Sequence, residues 1–172
     1  MAYDVILGRS QGAYPGELVS ELQLSEIVTG RSLSSNPPTV LGNAVAFDTA
    51  SGNFRPIGAA DTTASVIGAT VRAFPIYSGA NWSDQTFGAT PSIDPLSELS
   101  IAREATIGVQ VAGATAPVRF GAVYIQTTAV TGIPVGAYST TSSADNFQWV
   151  GAEWATSGVD ANGYGTIRFR VV

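Results

Sequence analysis

The sequence predicts an all-β chain, a single jelly-roll-like sandwich or small barrel with an extended N-terminal arm. Three observations carry this. The stretch 64–77, ASVIGATVRAFPIY, alternates with period two, placing Ile67, Ala69, Val71 and Ala73 on one parity. Such alternation marks a strand with one face on a core. Similar glycine-punctuated phrases recur at Val40–Phe47, Thr106–Val111, Phe120–Ile125 and Tyr164–Val171. Turn signals separate them, which is the pattern of a sandwich, jelly roll or small barrel.

Taken in order, Tyr3–Leu7 is a short apolar run bounded by Gly8, and Gly12–Gly16 reads as a turn around Pro15. Glu17–Val28 is ambiguous: Leu18 and Leu22 suit a helix, Leu22 and Leu24 a strand. Arg31–Pro38 is serine-rich and ends in Asn36-Pro37-Pro38, which forbids helix. Residues 1–38 are therefore expected to form an arm lying on its own barrel or on a neighbouring subunit, with 39–172 as the body. Val40–Phe47 is a strand, Asp48–Asn53 (DTASGN) a hairpin turn and Phe54–Ile57 its return. In 64–77, Gly68 has no side chain to pack, so another backbone passes close or the strand bends there.

Residues 78–97 form a long polar loop carrying Trp82 and Phe87. Loops of that length inside compact domains are usually functional or partner-bound. Leu99–Ala112 sets Ile107, Val109 and Val111 on one face; Gly113–Pro117 turns and Val118–Thr127 returns. Ile133–Ser139 and Asn146–Ala155 follow as strands. Asp160–Gly163 (DANG) is a tight turn that favours positive φ. Gly165–Val172 closes the chain with Ile167, Phe169 and Val171 inward and Thr166, Arg168 and Arg170 outward.

Composition excludes several functions. The chain has no cysteine, so disulfides and thiolate chemistry are absent, and no histidine, which removes the commonest general base and metal ligand. All 8 basic residues are arginine, and charged residues make up 12%, about half the usual share. Much of the surface is thus expected to be covered by partners, where arginine is favoured and lysine depleted. A net charge of −5 argues against nucleic-acid binding. No run reaches the length of a membrane span, and the N-terminus lacks the basic region of a secretory signal.

Candidate chemistry is sparse. Gly8-Arg9-Ser10-Gln11-Gly12 matches the nucleophile elbow, but that mechanism needs a histidine. Asp84, Asp94, Glu98, Glu104 and Glu153 are available carboxylates for glycoside hydrolysis, with turn-capping or solvation the commoner roles. Asp160-Ala161-Asn162-Gly163 opens like a calcium loop but lacks the downstream bidentate acid. Trp82, Trp149, Trp154 and Tyr164 form either a sugar platform or core and interface packing. Arg168 and Arg170 share one strand face, where they either clamp a partner's carboxylates or keep an exposed face charged. No catalytic, cofactor or metal residue is assigned.

Several phrases together resemble the capsid cement (head decoration) proteins of tailed bacteriophages. They are Tyr14-Pro15-Gly16-Glu17, Val40-Leu41-Gly42-Asn43-Ala44-Val45, Val66-Ile67-Gly68-Ala69-Thr70-Val71-Arg72 before Phe74-Pro75, Arg119-Phe120-Gly121 and Ile133-Pro134-Val135-Gly136. The resemblance covers most of the chain after Pro15. It implies a non-enzymatic virion protein on the outer capsid surface that bridges neighbouring capsomers. It also implies a major capsid protein as partner, assembly as a dimer or trimer, and synthesis in the host cytoplasm. The candidate partner-binding residues are Tyr14, Glu17, Glu21, Arg31, Trp82, Phe87, Arg168 and Arg170. The competing expectation is a carbohydrate-binding β module of a tail fibre or adhesin, which requires exposed tryptophans.

Overall fold

A computed structural model describes residues 16, 18, 26–36, 38, 40–71, 98–129 and 133–171. Their regular structure is almost entirely β: β1 (Glu26–Arg31), β2 (Ala44–Asp48), β3 (Asn53–Pro56), β4 (Val66–Val71), β5 (Glu98–Ala112), β6 (Ala122–Gln126), β7 (Tyr138–Ser139), β8 (Asn146–Trp154) and β9 (Tyr164–Arg170). A single 3-10 turn, Thr63–Ser65, precedes β4.

The fold is organised by β5, whose 15 residues serve two rings of strands. Its C-terminal half pairs with β9, β9 with β8, β8 with β6, β6 with β7, and β7 again with β5. That circuit closes, as in a small barrel, and its β5–β7 seam is parallel. Its N-terminal half pairs with β1 and β4, and β4 continues through β2 to β3. Ala102 pairs with both Ile27 and Ala69, so β1 and β4 flank β5 on opposite sides. The far side is closed by one parallel bridge, Ser32 to Phe54, with the Leu33 N–H donating to the Phe54 carbonyl at 2.7 Å. Closing a sheet on itself removes the edges that invite unwanted pairing.

Two cores fill these rings. The larger contains Trp149, set between Tyr138 (centroids 6.1 Å apart, stacked) and Phe169 (4.6 Å). Around them lie Ile107, Val109, Val123, Ile125, Trp154 and Ile167. The smaller is built from Leu41, Val45, Phe54, Leu99 and Ile101, with Val28 and Ile67 against it. Ala44, Ala46 and Ala69 belong to the larger core. Small side chains on this face of β2 and β4 let one ring approach the other closely. Asn43 adds a polar lock: its side-chain amide donates to the Val135 carbonyl at 3.0 Å, and the Ala44 N–H donates to the Gly136 carbonyl.

Most expected elements appear, with informative shifts. The strand at Val40–Phe47 starts only at Ala44, because the Gly42 N–H instead bonds the Thr70 carbonyl. In β4, Val66, Ala69 and Val71 join the larger core while Ile67 joins the smaller, so the simple parity of that stretch fails. The cause is a register shift against β2 between Val45 and Ala46, which leaves Ile67 outside the pairing. The close approach expected at Gly68 is present: a Cβ there would lie 2.1 Å from the Ala102 carbonyl oxygen. In β9, Thr166 is buried rather than outward. Residues 26–31, read as arm, lie on the chain's own sheet as β1. The Gly16 N–H also bonds the Gly108 carbonyl at 2.9 Å, beside a Leu18–Ile107 bridge. The 78–97 loop lies outside the described residues.

Candidate binding surface

Three of the residues expected to contact a partner fall among the described ones. Arg31 ends β1 opposite Glu98 and is exposed. Arg168 faces Glu153 across β8–β9 and forms an ion pair with it. Arg170 faces Glu104 across β5–β9 at 3.5 Å. These four charges, with Gly151, Ala152 and Phe169, line a shallow surface depression. The carboxylates that occupy the arginines thus come from the chain itself, as cross-strand pairs. A partner's carboxylate has to displace Glu153 or Glu104 to be clamped there. Tyr14, Glu17, Glu21, Trp82 and Phe87 lie outside the described residues, as do Asp84, Asp94 and the Gly8–Gly12 motif.

The sugar-platform expectation fails for its central pair. Trp149 and Trp154 are each 1% exposed. Trp154 also donates its indole N–H to the Ala122 carbonyl at 3.0 Å. Packing both rings into the core stabilises the fold far more than exposing them, since each aromatic buries a large apolar area. DANG is a hairpin turn: the Asp160 carboxylate accepts the Asn162 and Tyr164 N–H groups at 2.9 and 2.8 Å. Among the described residues, no cluster of carboxylates has the spacing of a metal site.

The strand expected from Val118 onward begins only at Ala122. Residues 118–121 are a turn, with the Gly121 N–H donating to the Val118 carbonyl at 2.8 Å. Phe120 has φ 66°, the one positive φ at a non-glycine among the described residues. A bulky residue in this region is strained and persists only where its surroundings over-determine it. Here they do. The Phe120 N–H donates to the Trp154 carbonyl at 2.8 Å and the Trp154 N–H to the Gly121 carbonyl at 3.1 Å. The Arg119 N–H donates to Ser157 Oγ at 3.0 Å, and the Gly158 N–H to the Pro117 carbonyl. The clue in the sequence is Pro117 and Gly121 bracketing three residues, a turn signal inside an otherwise strand-like run.

The turn holds Val118 and Phe120 68% and 62% exposed, with the Arg119 guanidinium 4.8 Å over the Phe120 ring. This is a rigid apolar tip with one positive charge, a surface suited to contact with protein and devoid of any nucleophile–base pair.

Comparison with known proteins agrees with an architecture of this kind. A capsid chain from the structure "The capsid of Myoviridae Phage XM1" superimposes with a TM-score of 0.67 over 99% of this chain and 98% of that one, at 16% identity. That likeness shows a shared fold. No curated protein sequence matches. The phage family described as structural cement protein, which takes in Pam3 gp6, matches residues 8–170. Since that match spans nearly the whole chain, both rings included, the chain belongs to the phage structural cement protein family.

Proposed function

We propose that this protein, a capsid-stabilising structural component of a phage virion, binds the outer surface of the shell and bridges neighbouring capsomers. The observation that carries the reading is the family match over residues 8–170. The physics supports it. Two rings sharing one long strand make a stiff body, and a stiff body transmits load between its contacts without deforming. Low charge content and a locked apolar tip favour broad contact with protein. The residues ahead of Gly16, if extended, reach roughly 50 Å, and we assign to them the contact with a second capsomer. Engaging several subunits of the major capsid protein raises effective affinity steeply even when each contact is weak. A dimer or trimer adds further contacts of the same kind. The family is structural, and we infer no enzymatic role.

The test is add-back to phage heads assembled without the protein. Saturable binding, with density on the outer surface between capsomers by electron microscopy and a higher temperature of head rupture, is the expected result. Binding inside the head, or none, sinks the reading.

A further inference from the structure

We propose that the Val118–Arg119–Phe120 knuckle is a plug that seats in an apolar pocket with an acidic rim on a capsid-shell protein. The inference rests on the capsid reading above.

Its first support is strain held in place. A phenylalanine at φ 66° is kept there by the backbone bonds to Trp154 and the Arg119–Ser157 contact. Glycine at this position would remove the strain. The chain instead presents a phenylalanine ring, and strained residues cluster where the strain serves function. Exposure is the second support. Val118 and Phe120 project from the turn, and the adjoining turn, tied to it through Gly158 and Pro117, adds Val159 at 45% exposure. Exposed apolar side chains on two turns joined by a backbone hydrogen bond are of the kind that marks a protein contact.

Charge selects the partner. Arg55, Arg103, Arg168 and Arg170 each pair with a carboxylate. Arg119 has no carboxylate partner among the described residues and lies over the Phe120 ring. Desolvating that cation in a contact requires an acid on the other side. The same charge disfavours a symmetric contact between two copies through this tip, because the two Arg119 side chains would meet. The occupant that fits is therefore a different protein carrying an apolar pocket and an acidic edge. Tip aromatics with an arginine neighbour have the composition of an interface hot spot.

The test uses full-length protein and heads assembled without it. Phe120→Gly keeps the turn and relieves its strain, so the variant melts at the same temperature or higher. Its affinity for heads falls by about 30-fold or more, the loss expected of a hot spot. Arg119→Glu also weakens binding, and its affinity depends less on salt than the wild type's. Wild-type binding with Phe120→Gly binding equally well overturns the plug and leaves the cement reading standing. Failure of the wild type to bind heads overturns both. Loss of self-association by Phe120→Gly in sedimentation, with head binding intact, assigns the tip to a second copy and overturns the proposal.

Discussion

The two rings differ in how they are closed and filled. The C-terminal ring is ladder-paired all the way round, and Tyr138, Trp149 and Phe169 pack together in its interior. Among the described residues, the N-terminal ring has one aromatic in its core, Phe54, and closes through one bridge made by that same residue. Phe54 also packs against Gly30 of β1, where a Cβ would lie 2.5 Å from its ring. A single side chain thus joins the small core, faces β1 and sits at the seam. Stability in the first ring is spread over many contacts, while in the second it is concentrated at a keystone.

Four substitutions test this contrast, the most damaging first. Gly68→Val places a side chain 2.1 Å from the Ala102 carbonyl oxygen, a backbone atom of the shared strand. Both rings lose their common wall, so loss of folding, or destabilisation by about 4 kcal/mol or more, is expected by circular dichroism. A folded Gly68→Val protein refutes the shared-wall picture. Trp149→Ala opens the larger core and costs about 3–5 kcal/mol in urea unfolding.

Phe54→Ala costs about 3–4 kcal/mol by the same physics, but its signature is local. Amide exchange accelerates in β1 and β3 while β6, β8 and β9 stay protected. Uniform acceleration instead means that the rings open as one unit and the contrast does not hold. The smallest effect falls on Asp61, whose carboxylate accepts from Arg55 at 2.6 and 2.9 Å and from the Gly58 N–H at 2.7 Å. The hydrogen bond from Arg55 is the main reason its carboxyl sits below the ordinary aspartate value of 3.8. A depressed acid stabilises the fold above that value and loses the contribution as pH falls through its folded-state pKa. Asp61→Asn is therefore expected to lower stability by about 1 kcal/mol at pH 7, with the gap to wild type narrowing below pH 3.8 in thermal melts.

Legibility followed the range of the interactions involved. DTASGN and DANG were readable because their turns are made locally. Asp48 bonds the Ser51 N–H and hydroxyl, and Asp160 bonds Asn162 and Tyr164. Leu99–Ala112 was readable because its alternation reports burial on β5 directly. At Val118–Phe120 the turn has a local signal in Pro117 and Gly121, but the positive φ of Phe120 was not readable, since Trp154 and Ser157, distant in sequence, hold it. Nor could the pairing of Arg168 with Glu153 and Arg170 with Glu104 be read, because each depends on strand register across the sheet.

By itself, the order of residues determined the β character, the turns, the poverty in charge and the absence of histidine and cysteine chemistry. Those are properties of one residue or of near neighbours. Only the tertiary structure decided that Trp149 and Trp154 are core, that Ile67 and Ala69 serve different cores, and that one strand walls two rings. The physical reason is that burial and ring closure are set by which strands pair, and strand pairing is a contact between segments far apart along the chain.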